Sequence, residues 1–135
     1  MPFPDELARG LAVVAYSRGW PADFAILARR IQAALGPLAV RVNHVGSTSV
    51  PGLAAKDCID VQVEVHALAE EAITGCFAKI GFRLRPEPWN RVEATPGGSC
   101  PKLVFAPPEG ERASNVHVME AAGQSRPNAD PDDRR

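Results

Sequence analysis

The chain has 135 residues, 15 Lys and Arg against 16 Asp and Glu, and a formal net charge of -1. That length suits one domain burying roughly two thirds of its unfolded surface, and near-neutrality leaves no global field toward nucleic acid or an anionic membrane. No apolar run approaches the ~18 residues of a membrane span, and the opening MPFPDE lacks the basic region of a signal peptide, so a cytoplasmic protein is expected.

Pro21 to Leu35 carries Phe24, Leu27, Ala28, Ile31 and Leu35 at helical spacing, begins with Pro at a plausible first helical position and stops at Gly36-Pro37. Leu38 to Val45 reads as a strand, and so does Cys58 to Val65, where Ile59, Val61, Val63 and Val65 alternate with Cys58, Asp60, Gln62 and Glu64. Leu68 to Ile80 follows a 3.6-residue period and ends at Gly81, where a left-handed helix terminus favours glycine. Beyond it come a short FRLR strand, a Pro/Gly-rich connection from Pro86 to Pro101, and strands KLVFA (102–106) and NVHVME (115–120) joined by the turn-forming APPEGERAS. From residue 121 onward the chain lacks large apolar residues and is expected to be a disordered or altered tail, leaving a single domain over residues 1–120. Helices and strands in this order predict an α+β domain, a mixed sheet with helices mainly on one face. Cys58, Cys76 and Cys100 lack CxxC spacing and are odd in number, which argues against disulfides or structural zinc and for buried small hydrophobes.

The chemistry concentrates in HVGSTSVPGLAAKDCIDVQVEV, residues 44 to 65. Neither phosphate-loop pattern fits, because Gly46 is not followed by the Gly-Lys-Ser/Thr of Walker A and Gly46-Ser47-Thr48 breaks the GxGxxG fingerprint. What remains is a strand ending at Val45, a Gly-Ser turn, and a second strand with Asp60 and Gln62 on one face. A phosphate at the turn would meet backbone amides at Gly46 and the hydroxyls of Ser47, Thr48 and Ser49, while Asp60 could hold a bridging divalent cation. His44 either caps the turn or donates to a phosphate; Lys56 is a further phosphate candidate. His117 shares a strand face with Asn115 and Met119, so pairing of the two strands would bring it toward Asp60 as ligand or general base. Trp20 and Trp89 read as packing residues, and Arg83, Arg85 and Arg91 are too sparse for a nucleic-acid surface.

This run closely resembles the signature of the GrpB family, small bacterial proteins similar to a domain also found fused to dephospho-CoA kinase in some actinobacteria. GWPADF (19–24), KLVFAPPEG (102–110) and NVHV (115–118) extend the resemblance over roughly residues 10 to 120. The resemblance implies a nucleotidyltransferase-like fold with Gly46 and Ser47 as the phosphate-side turn and Asp60 as the first metal carboxylate. It further implies His117 on the closing strand, Mg²⁺ as cofactor, a nucleoside triphosphate as partner, and nucleotidyl transfer to an unknown acceptor. Two departures stand against it. Gln62 replaces the second acid of active nucleotidyltransferases, leaving Asp60 and Gln62 as the metal pair, and Glu64 lies about 6.6 Å further along. Relatives usually continue into an apolar, Arg-containing helix where this chain reads SRPNADPDDRR, so a truncated or altered C-terminus is expected. A non-catalytic nucleotide-binding or protein-interaction module with a degenerate carboxylate site is the alternative.

Overall fold

The computed structural model describes residues 2–7 and 12–122. Its centre is a five-stranded mixed sheet built from β2 (Ala39–Val45), β4 (Ile59–Val65), β5 (Arg83–Leu84), β8 (Leu103–Ala106) and β9 (Ser114–Glu120), in the spatial order β2-β4-β9-β8-β5. β4 runs parallel to β9 and antiparallel to β2, and the remaining neighbours are antiparallel. Helices α2 (Gly19–Leu35) and α3 (Glu70–Lys79) cover one face. The expected α+β architecture is therefore present.

Alternation in β4 explains why the helices choose that face. Ile59, Val61, Val63 and Val65 are fully buried and meet Val116 and Val118 of β9, Leu103 and Phe105 of β8, and the apolar stripe Trp20, Leu27, Ile31 and Leu35 of α2. Asp60, Gln62 and Glu64 consequently point to the opposite face, because successive side chains alternate. α3 contributes Ile73 and Phe77, and Phe77 stacks on Phe105 at 4.2 Å between ring centres. Gly81 closes α3 at φ +83°, with the Phe82 amide donating back to the Phe77 carbonyl at 3.0 Å, as a glycine-terminated helix requires.

Several elements differ from the sequence reading. α2 starts two residues earlier, so Pro21 occupies its third position, where a missing amide hydrogen still costs no helical bond. The connection from Pro86 to Pro101 contains a one-turn helix (Pro88–Arg91) and a hairpin of β6 (Val92–Thr95) and β7 (Gly98–Pro101); its Pro and Gly residues punctuate short strands that carry little apolar alternation. A one-turn α1 (Pro4–Leu7) and the two-residue pair β1 (Val13–Val14) and β3 (Ala55–Lys56) were also beyond the reach of periodicity. The three cysteines are free but half-buried rather than buried. Among the described residues no helix is long and apolar enough to cross a membrane. The expectation for the tail beyond residue 122 lies outside the described residues.

Phe77 is the most closely ringed of the core aromatics, in edge contact with Phe82 as well as stacked on Phe105. Phe77→Ala is expected to lower unfolding free energy by about 3–5 kcal/mol, measured by chemical denaturation.

Candidate functional site

The end of β2 and the start of β4 are opposed, with Val45 facing Asp60 across the ladder. Gly46 follows at φ +75°, in the left-handed region, and opens a 3₁₀ turn over Ser47–Ser49. A Cβ added to Gly46 would stand 2.5 Å from Asp60 Oδ2 and 3.0 Å from its Cβ. Glycine is thus required twice, for its backbone angle and because the turn rests directly on the carboxylate.

The turn is held from within. The Ser49 and Val50 amides donate to the Gly46 and Ser47 carbonyls at 3.1 and 3.2 Å, and Ser49 Oγ donates to the Gly46 carbonyl at 2.5 Å. Thr48 is buried with its hydroxyl 2.9 Å from His44 Nε2, and the His44 ring lies flat on Phe24 of α2 at 4.7 Å. His44 stands opposite Val61 in the ladder and therefore faces the helices, so it props the turn from beneath. Of the three hydroxyl residues offered to a phosphate, Thr48 and Ser49 are engaged in the turn itself, whereas Ser47 is exposed. Lys56 lies exposed on β3, its backbone paired with Val13.

Parallel pairing sets Asp60 beside Asn115 and Gln62 beside His117. Asn115 Oδ1 accepts from Arg85 Nη2 at 2.8 Å, and its amide nitrogen reaches Cys58 Sγ at 3.6 Å. Gln62 Oε1 accepts from Asn43 at 3.1 Å, and the same Asn43 amide reaches Glu64 at 2.8 Å. Lys102 Nζ lies 3.3 Å from His117 Nδ1 and 2.8 Å from Glu93 Oε1. An ammonium only donates, so Nδ1 accepts and the proton of a neutral His117 sits on Nε2. His117 then offers the site a donor; service as a base or metal ligand through Nδ1 would require Lys102 to move away.

Burial pushes the Asp60 carboxyl above its ordinary value, against the opposing effects of the Asn115 hydrogen bond and His44. Burial also lowers His44, with Asp60 opposing, and lowers His117, where Lys102 and Arg85 add to the effect and Glu93 opposes. The site is thus a partly desolvated carboxylate, with the buried His44 imidazole near enough to feel its charge. Among the described residues no three His, Cys, Asp or Glu side chains gather closely enough to cage a metal. Asp60 with the amide oxygen of Gln62 fits a Mg²⁺ that takes its remaining ligands from water and phosphate, the usual arrangement for that ion.

The sequence reading passed over Arg85 as a site neighbour. The alternation Arg83-Leu84-Arg85 carried the signal: Leu84 faces the core, so both arginines share the face of Asp60. None of the arginines read as a loose basic cluster is loose, since Arg83 pairs with Asp5, Arg85 with Glu6 and Arg91 with Glu70.

Gly46→Ala must distort the turn or displace Asp60; a loss of about 2–3 kcal/mol in unfolding free energy is expected by denaturant titration. Asp60 carries the opposite expectation. Its raised pKa means that the native state binds the proton more tightly than the unfolded chain, so ionisation at neutral pH destabilises the fold and that penalty fades in acid. Asp60→Asn should raise the melting temperature of the ligand-free protein at pH 7, with the advantage vanishing as pH falls toward the ordinary carboxylate value. A variant that melts below wild type at pH 7 would contradict this.

Residues 10–129 match the family model described as GrpB protein. A UPF0157 protein of Streptomyces coelicolor is 42% identical over 96 residues, covering 70% of this chain and 50% of that protein. A dephospho-CoA kinase of Mycolicibacterium paratuberculosis is 34% identical over 116 residues, covering 73% of this chain and 28% of the kinase. The crystal structure of conserved protein GrpB from Enterococcus faecalis superimposes with a TM-score of 0.66 at 26% identity, over 81% of this chain and 61% of that one. The chain therefore spans half or less of the length of these curated relatives. On the extent of the family match, this chain belongs to the GrpB family.

Proposed function

We propose that the chain binds a nucleoside triphosphate together with Mg²⁺ at the Gly46–Ser47 turn and the adjoining Asp60. The observation that carries this reading is the contact itself: only the missing Gly46 side chain lets the turn lie on a half-buried carboxylate. A bare phosphate would be repelled by Asp60, and a bare cation would find one acid and neutral amides. The two ligands together satisfy both, so each should depend on the other. Bound Mg²⁺ would supply charge neutralisation to the phosphates. Asp60 and Gln62 would hold it, the exposed Ser47 hydroxyl would orient a phosphate oxygen, and Nε2–H of His117 would donate to another. The likeness to proteins named dephospho-CoA kinase lends support, since it associates this kind of domain with a kinase.

In a nucleotidyltransferase the next step is in-line attack of an acceptor on the α-phosphorus. A specific feature favours binding without that transfer. The position two past Asp60 holds Gln62, tied to Asn43, the carboxylate further along, Glu64, accepts from the same Asn43 amide, and Nδ1 of His117 faces Lys102, so neither an acid two residues past Asp60 nor a free imidazole base is offered.

Isothermal titration with ATP, GTP, CTP and UTP, each with and without Mg²⁺, tests the reading. Mg²⁺-dependent heat for at least one nucleotide, abolished by Asp60→Ala, is expected. Absence of heat from all four in the presence of Mg²⁺ overturns it. Pyrophosphate release from the bound nucleotide separates transfer from binding alone.

A further inference from the structure

Arg83 opens the edge strand β5 and Arg85 directly follows it, its amide donating to the Val104 carbonyl at 2.8 Å, so the two flank Leu84 and both guanidiniums stand on the face that carries Asp60. Each is gripped at both prongs by a carboxylate from α1. Asp5 takes Arg83 at 2.9 and 3.1 Å, and Glu6 takes Arg85 at 2.8 Å twice. The Phe3 ring covers the two cations, 4.4 Å from the Arg83 guanidinium and 5.7 Å from that of Arg85. α1 buries none of its own residues, so its four-residue turn is held on the sheet chiefly by charge and by this one ring. Burial alone would raise Glu6, yet hydrogen bonds from Arg85 and the Phe3 amide, with the charges of both arginines, hold it below the usual carboxylate range.

The arginine pair is also wired to the site. Arg85 Nη2 donates to Asn115 Oδ1 at 2.8 Å, and Asn115 stands beside Asp60 in the parallel ladder. Glu6, Arg85 and Asn115 are thus joined by hydrogen bonds that end at the ladder neighbour of Asp60. Two guanidiniums anchored about 6.6 Å apart along the chain suit two linked anions, and a carboxylate or a phosphate can each present two oxygens to the two-pronged fork of arginine. Consecutive acidic side chains supply those anions here; a diphosphate group would supply them equally.

We infer that Arg83 and Arg85 form a diphosphate-binding site whose resident occupant is the chain's own Asp5–Glu6 segment, so that binding a polyphosphate there displaces residues 3–7 from the sheet. The segment is then an internal competitor: it keeps Arg85, which is largely buried, from standing without an anion, and it sets the concentration at which an external anion enters. This inference goes beyond the nucleotide site, because it requires neither Mg²⁺ nor the Gly46 turn.

The test uses the full chain, inorganic pyrophosphate and a metal-free buffer containing EDTA at low ionic strength. Two readouts are followed: affinity by calorimetry, and hydrogen exchange of the Glu6 and Leu7 amides, which donate to the Phe3 carbonyl at 2.9 and 3.2 Å when the turn is formed. In the wild type, saturating pyrophosphate is expected to speed exchange at these amides at least tenfold while core amides such as Val63 are unchanged. The double variant Asp5→Asn/Glu6→Gln, which keeps side-chain shape and removes charge, is expected to bind pyrophosphate about tenfold more tightly. Arg83→Gln/Arg85→Gln should lose binding, whereas Asp60→Ala should retain it, which separates failure here from failure of the nucleotide reading. Pyrophosphate that fails to speed wild-type exchange overturns the inference, and so does a folded Asp5→Asn/Glu6→Gln variant with unchanged affinity. Should that variant not fold, Asp5→Asn alone, at the more exposed pair, is expected to gain about threefold, and no gain is equally decisive.

Discussion

The parallel pairing of β4 with β9 is the constraint on which the rest of this structure depends. Antiparallel neighbours in the sheet are reached by turns, but a parallel partner needs a crossover, and everything between Val65 and Ser114 serves as that crossover. α3 fills the helix layer, while β5 and β8 extend the sheet beyond β9 before the chain returns to lie beside β4. Because both strands are internal, the core-facing side of β4 is continuous valine and isoleucine and that of β9 carries Val116 and Val118 between Ser114 and Glu120, and their other sides can carry polar groups without exposing an edge. The register then decides the chemistry: Asp60 meets Asn115, Gln62 meets His117, and Glu64 meets Met119.

That polar face is nearly closed electrostatically. Arginines and lysine on the β5–β8 side are each matched by a carboxylate, and amides of Asn43 and Asn115 bridge the middle. Asp60 is the exception, half-buried beneath a glycine turn, with burial raising its carboxyl above the ordinary value. A protein tolerates such a group where function requires it, and the cost in stability is the physical reason to look there for a ligand. The surrounding neutral donors and acceptors shape the site without neutralising it.

The relation between Gly46 and Asp60 was legible as two halves. A Gly-Ser turn before an alternating strand with a single acid suggested a phosphate turn and a metal carboxylate, and family resemblance supplied the pairing. The sequence could not show that the turn's own hydroxyls divide, Ser47 outward and Thr48 inward, because that depends on which face of β2 carries His44. Lys102 presented a similar difficulty: it opens KLVFA, and its burial against Glu93 and His117 from two other strands leaves no mark in the local pattern. The bond from Asp5 to Arg83 joins residues 78 positions apart, which no local pattern can announce.

The sequence by itself determined the fold class, the helix and strand that carry the core, and the residues of the Gly46–Asp60 motif, since periodicity and local backbone preference are properties of neighbouring residues. Tertiary structure alone decided what those residues meet. The parallel register, the placement of α1 over Arg83 and Arg85, and the burial of Asp60 beneath the Gly46 turn arise from contacts between segments distant in the chain. Charge pairing and desolvation depend on distance in space, and only the folded chain sets those distances.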